Sequence, residues 1–248
     1  MIYLRNISVI FSKNSPLERQ ALKSISLQIE QGEFITIIGN NGAGKSTLQG
    51  ALAGTIAVDS GQILIDNYNI TKDSICSRAK LISRVFQDPK AGTCENLTIA
   101  ENMSIAYNRG KPRKLNFALT ESNKILFKDR LMELAMGLEN RIDELVGNLS
   151  GGQRQALSLL MATLAPTKLL LLDEHTAALD PKMAKMIMEL TNKLYNHYNL
   201  TIIMITHNIK HAFKYGTRTI MLQDGKIAHD LHGDKRKSID PISLLSAY

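Results

Sequence analysis

The octapeptide Gly39-Asn40-Asn41-Gly42-Ala43-Gly44-Lys45-Ser46 decides the fold of this chain. It keeps the spacing of a phosphate-binding loop, follows the apolar β-branched run Phe34-Ile-Thr-Ile-Ile38, and opens onto a helical pattern. Glycines at these positions let the backbone curl until several N–H groups point inward at phosphate oxygens. The helix N-terminus adds its partial positive charge. Lys45 can then reach β- and γ-phosphates, and the Ser46 hydroxyl can ligate Mg²⁺. At average residue usage such a match arises by chance about once in 100 chains of this length. The strand–loop–helix context lowers that further.

Outward from the loop, residues 2–10 and 21–30 alternate apolar and polar side chains, as half-buried antiparallel strands do. Short apolar runs like Phe34–Ile38 recur at Leu169–Leu172, Thr201–Ile205 and Arg218–Leu222, separated by long helical patterns such as Met183–Tyr195. Strands alternating with helices predict an α/β core with a largely parallel sheet. Gln223-Asp-Gly-Lys226 predicts a terminal hairpin. The stretch 93–146 lacks β-branched runs and reads as helices over Thr98–Tyr107 and Asn123–Met136, with a basic, Pro-containing break at Arg109–Asn116. It is expected as a helical subdomain inserted into a core formed by residues 1–92 and 147–248.

The 248 residues suffice for one sizeable domain with such an insert. The longest apolar stretch, Leu157 to Ala165, falls well short of the roughly 20 residues of a membrane-spanning helix. No basic region followed by an apolar stretch opens the chain, so no signal peptide is expected. Cys76 and Cys94 lack metal-ligand spacing, which points to a reduced, cytoplasmic protein. The net charge of +7 raises nucleic acid or a membrane surface as partners. The charges are scattered, however, and the clusters Arg109–Lys114 and Lys235–Lys237 read as solvated surface.

Two further motifs carry chemistry. Leu169-Leu-Leu-Leu-Asp173-Glu174 is an apolar strand ending in two carboxylates. Asp173 would lie at the carboxyl end of the sheet and hold Mg²⁺ through water, and Glu174 is placed to polarise an attacking water as general base. Leu149-Ser150-Gly151-Gly152-Gln153 is a capping box, Ser150 at the N-cap and Gln153 at N3, ahead of a helix carrying Ala156, Leu157, Leu160 and Leu164. A capping box leaves the glycines unexplained, because each weakens a helix by up to about 1 kcal/mol relative to alanine. They fit a terminus whose bare backbone a ligand approaches.

Phosphate loop, LSGGQ and acidic strand, in this order, resemble the nucleotide-binding subunit of ABC transporters across essentially the whole chain. The resemblance implies a P-loop NTPase fold with a RecA-like, mainly parallel core, an N-terminal antiparallel β-subdomain and the helical insert. It implies ATP and Mg²⁺ as cofactors, with nucleotide contacts from Gly39, Asn40, Asn41, Gly42, Ala43, Gly44, Lys45, Ser46 and Thr47. Leu149, Ser150, Gly151, Gly152 and Gln153 would cover the γ-phosphate held by a second copy of the chain, so that two ATP molecules lie in a dimer. Gln87, in Val85-Phe-Gln-Asp-Pro89, matches the glutamine that contacts Mg²⁺ and the water, so Ser46, Gln87 and Asp173 form the metal set. His207 matches the switch histidine at the γ-phosphate, which with Lys45 and Glu174 completes the catalytic set. Ala178-Leu179-Asp180 matches the loop that signals across the dimer, and Phe11, ahead of Tyr3, is the residue to stack on adenine. Two positions depart from the family: His175 stands where many relatives have proline and reads as a loop residue, and Ala177 stands where a serine is common.

Implied partners are integral membrane permease subunits and an extracytoplasmic substrate-binding protein, with no nucleic acid, and the location is the inner face of the cell membrane. Residues 86–93 and 173–181 resemble importer ATPases whose permeases are related to those for branched-chain amino acids. The competing class is a soluble ABC ATPase acting on DNA or ribosomes. Such proteins carry long coiled-coil insertions or paired ATPase domains, and neither is present here.

Overall fold

The computed structural model describes residues 1–112 and 119–238, which form two compact units: Met1–Arg78 with the chain from Tyr198 onward, and Ala79–His197. Of the basic break expected at 109–116, residues 113–116 lie outside the described residues.

The first unit begins with β1 (Ile2–Phe11) and β2 (Arg19–Ile29), antiparallel partners in register from Ile2 opposite Ile29 to Phe11 opposite Arg19. Then follow β3 (Phe34–Ile38), α1 (Lys45–Ala53), β4 (Ser60–Ile65), the short β5 (Tyr68–Asn69) and the single turn α2 (Ile75–Arg78). β4 pairs with the other side of β1, and β5 with β4, giving an antiparallel sheet of order β2-β1-β4-β5.

The second unit contains β6 (Ile82–Val85), α3 (Ile99–Tyr107), α4 (Glu121–Met132), α5 (Gly151–Leu164), β7 (Leu169–Asp173) and α6 (Pro181–Tyr198). Its strands β6 and β7 are parallel, Ile82 beside Leu169 and Val85 beside Leu172. α4 stops four residues short of the expected Met136. After Met132 the chain turns through Ala135 at φ 52° and Gly137 at φ 72°, so the apolar residues beyond it pack from turns.

Back in the first unit lie β8 (Ile202–Ile205), α7 (Ile209–Tyr215), β9 (Arg218–Gln223), β10 (Lys226–His232) and α8 (Gly233–Ser238). β3 is flanked by β8 and β9, both parallel to it, and every residue of β3 is buried. Burial on both faces is why this strand is a continuous apolar run rather than an alternating one. β10 folds back on β9 through Asp224 at φ 48° and Gly225 at φ 77°, the left-handed pair of a tight hairpin turn.

The basic clusters are not uniformly solvated. Arg109 reaches the Ala162 and Ala165 carbonyls at the end of α5, at 3.3 and 3.2 Å. Arg236 donates to the Ala212 and Phe213 carbonyls at the end of α7, at 2.9 and 2.6 Å. Arg78, almost fully buried, donates to the Ala51 and Leu52 carbonyls at the end of α1 and to Thr71 O. A helix leaves its last four carbonyls without intrahelical partners and carries partial negative charge there, which a guanidinium satisfies twice over. Burial pushes the pKa of all three arginines down from the ordinary value.

Candidate active site

In the first unit the phosphate loop is closed upon itself. Lys45, buried, donates its Nζ to Gly39 O at 2.6 Å and Asn40 O at 3.0 Å. Ala43 N–H donates to Asn40 O at 3.1 Å, and Gly225 N–H to Ala43 O at 3.1 Å. A Cβ at Gly39, φ 149°, would collide with the Leu222 carbonyl, and one at Gly44, φ 105°, would lie 2.7 Å from Ala21 O. The loop is thus boxed in by the β9–β10 hairpin and by β2, and both positions require glycine. Ser46 is exposed and Thr47 half-buried in the first turn of α1, while Asn40, Asn41 and Gly42 line the exposed rim.

Phe11 is half-exposed at the end of the β1–β2 ladder. Its cross-strand partner Arg19 donates Nη2 to Gly42 O at 2.8 Å, which ties that end of the ladder to the loop. Tyr3 pairs with Gln28 near the opposite end. His207 is exposed, just beyond β8 and one residue before Asn208, whose side chain caps α7 by accepting from His211 N–H at 3.0 Å.

The second unit carries the remaining residues. Gln87 is exposed two residues beyond the end of β6. Asp173 ends β7, and its Oδ2 accepts from Arg84 Nη2 at 2.7 Å; Arg84 stands in β6 beside Leu171 and over the Phe86 ring. Glu174 follows at φ 44°, a left-handed conformation that side-chain-bearing residues rarely hold and that clusters at functional sites. Asp180 does local work: its Oδ1 accepts from the N–H groups of Lys182 and Met183 at 3.1 and 3.0 Å, capping α6. His175 sits in the loop between β7 and α6, as expected. It lies within the turn but is buried, with Nε2 3.1 Å from Thr191 Oγ1. Thr191 Oγ1 donates to Ile187 O, so it accepts from the imidazole and fixes the proton on Nε2.

The LSGGQ segment forms the expected capping box. Ser150 Oγ accepts from Gln153 N–H at 3.3 Å, and Gln153 Oε1 accepts from Ser150 N–H at 3.2 Å. Leu149 is buried and anchors the approach to the helix. The two glycines differ. Gly152 is buried, and a Cβ there would collide with the Met183 side chain of α6; around Gly151, exposed, such a Cβ would meet nothing within 4 Å among the described residues. One glycine therefore serves packing within the chain, and the other leaves an open helix terminus.

Sequence reading missed Arg19, Arg84 and Gln155. Each acts through a contact distant in sequence, to Gly42, Asp173, and the Phe86 and His175 carbonyls respectively. The one local signal was a glutamine amid Ala156, Leu157 and Leu159 on a helix buried nearly all round.

A parallel-stranded α/β unit bearing a boxed-in phosphate loop defines a P-loop nucleotide hydrolase, and the family model for ABC transporters matches residues 22–177. The chain belongs to that family: it is an ATP-binding subunit that hydrolyses ATP to power transport. It is 42% identical to the tyrosine transport ATP-binding protein of Clostridioides difficile, covering 100% of this chain and 98% of that one. It is 34% identical to the thiamine import ATP-binding protein ThiQ of Shigella sonnei, covering 82% of each. A solved dimeric ATP-binding cassette in a post-hydrolysis state with ADP and phosphate superposes with TM-score 0.79 at 27% identity, covering 94% of this chain and 98% of that one.

Proposed function

We propose that this chain binds ATP with Mg²⁺, closes with a second copy around two ATP molecules, and so drives separate permease subunits at the inner face of a cell membrane. We infer import of an amino acid, handed over by an extracytoplasmic binding protein. The observation that carries the dimer is the solvent-open terminus of α5 at Gly151, where an added Cβ would meet nothing within 4 Å among the described residues. A phosphate held by another copy is the partner such a terminus suits. The import direction and substrate class rest on the tyrosine transport and thiamine import relatives.

Lys45, whose ammonium already seeks the oxygens of its own loop, would turn to the β- and γ-phosphates. The oxygens of Ser46, Gln87 and Asp173 are hard donors of the kind Mg²⁺ takes together with substrate phosphates. When bound, the cation neutralises charge on the transferring phosphoryl group. Arg84 already neutralises Asp173, so cation and guanidinium compete for that carboxylate. Glu174 takes the proton of the attacking water, His207 contacts the γ-phosphate, Phe11 stacks on adenine, and Ala178–Asp180 faces the partner. Residues 93–146 form the inserted helical segment, and the surface around Gln87 relays closure to the permease.

Glu174→Gln is the direct test. ATP binding should persist while turnover falls by at least about 100-fold, the lower end of general-base contributions. ATP should then shift this variant to a dimer on gel filtration, and elution as monomer alone would count against the sandwich. For the substrate, removal of this subunit should abolish ATP-driven uptake of labelled tyrosine or branched-chain amino acids. Unchanged uptake of all of them overturns the amino-acid assignment.

A further inference from the structure

Gln155 is fully buried on α5, five residues past the Ser150 N-cap. Its Nε2 donates to two main-chain carbonyls at once: Phe86 O at 3.1 Å and His175 O at 2.7 Å. Both partners only accept, so the amide nitrogen must face them, and Oε1 is left buried without a partner among the described residues. Phe86 directly precedes Gln87, and His175 directly follows Glu174. The His175 carbonyl is itself held in place, because its imidazole is bonded to Thr191 of α6. One side chain thus pins the helix that presents Ser150 and Gly151 to the backbone beside the water-contacting glutamine and beside the general base.

We propose that Gln155 is a positioning residue that couples the two ATP sites of the dimer. The proposal rests on the sandwich reading above, in which the Ser150–Gln153 turn of one copy covers the ATP of the other while Glu174 and Gln87 serve its own. A shift of α5 when the partner's ATP is engaged then moves the carbonyls next to Gln87 and Glu174, and the second site becomes competent because the first is filled. The amide is rigidly held by two bonds, so the coupling is a displacement of packed groups and needs no flexible linker. Cutting the bonds leaves each site able to bind nucleotide but no longer informed of its neighbour.

The test uses the full-length chain with Gln155→Met, which keeps the volume, and Gln155→Glu, which keeps the shape but sets oxygen against the two carbonyls. Wild-type hydrolysis against ATP concentration should be sigmoidal, with a Hill coefficient approaching the two-site limit of about 2, and either variant should bring it to about 1. The kcat should fall roughly 10- to 100-fold through misplacement of Glu174, while the affinity of the isolated subunit for a fluorescent ADP analogue stays within about two-fold. Thermal melts identify a variant that fails to fold, and the other variant then carries the test. In a Glu174→Gln background, ATP-dependent dimerisation should survive the Gln155 change. A Hill coefficient unchanged in a folded variant overturns the coupling role alone. Loss of dimerisation in Glu174→Gln with Gln155 intact overturns the sandwich instead.

Discussion

Gly151 and Gly152 are adjacent and chemically identical, yet their surroundings give them opposite predicted behaviour. Gly152→Ala brings a methyl against the flexible end of the Met183 side chain, which must swing aside, so a loss of up to about 1 kcal/mol is expected, read as a lower melting temperature. Gly151→Ala meets open space and removes a poor helix former, so stability should hold or rise by up to about 1 kcal/mol. The same Gly151 change should nonetheless lower ATP-dependent dimerisation and hydrolysis, because the methyl stands where the partner's phosphate approaches. Unimpaired turnover in Gly151→Ala would argue against that approach. The sequence flagged both glycines as costly within a helix, and that cost was legible. That the cost at Gly152 answers to Met183, 31 positions away, was not, because packing partners across helices leave no local pattern. The burial of His175 was not legible for the same reason, because it goes with a contact to Thr191, one element further on.

Helices and strands show which sequence patterns survive folding. Runs buried on both faces, such as Phe34–Ile38 and Leu169–Leu172, were legible because nothing but a central strand is so short and so apolar. Ile82-Ser-Arg-Val85 was not, since Ser83 and Arg84 break the run; Ser83 is buried and donates to Ala162 O, and half-buried Arg84 pairs with Asp173. Three arginines close the C-termini of α1, α5 and α7, so part of the net positive charge answers helix ends rather than an external anion. Replacing Arg78 by Gln leaves buried carbonyls of α1 short of donors and should cost about 2 kcal/mol, lowering the melting temperature by about 4–8 °C in a chain of this size. Another arginine, Arg218, clamps Asp230 through Nε and Nη2 at 2.7 and 2.6 Å, and its Nη1 reaches Gln28 O and Glu33, which joins β9 to β10 and β2. Hydrogen bonding from Arg218 holds the Asp230 carboxyl below its usual range. A depressed folded-state pKa gives stability that is present above the unfolded value of about 4 and is lost as pH falls below it. Asp230→Asn should therefore be less stable than wild type at neutral pH, and the gap should narrow in melts taken below about pH 4.

For the molecule as a whole, bound nucleotide adds stability by mass action. A ligand at 100 times its Kd stabilises by about 2.7 kcal/mol, which corresponds to a rise of about 5–10 °C for a chain of this length. Lys45→Ala should erase most of that rise without lowering the melting temperature of the nucleotide-free chain by a comparable amount. An equal shift in Lys45→Ala would show that the phosphate loop does not hold the nucleotide. The loop, the acidic strand and the LSGGQ turn were each legible in the sequence, because each is a local arrangement of backbone and a few side chains. The ties among segments were not: Arg19 to the loop rim, and Gln155 to the carbonyls beside Gln87 and Glu174, arise only once the chain is folded.

A glycine whose added Cβ would meet nothing among the described residues is invisible to proteostasis. In a library of variants scored by cellular abundance, changes at Gly151 should persist while changes at Gly39, boxed in by Leu222, disappear. In the same library scored by growth on the transported solute, both should disappear. Folding and assembly thus impose separate selection pressures on glycines that the sequence presents alike, and comparing the two screens would separate residues a chain needs for itself from residues it holds for its partner.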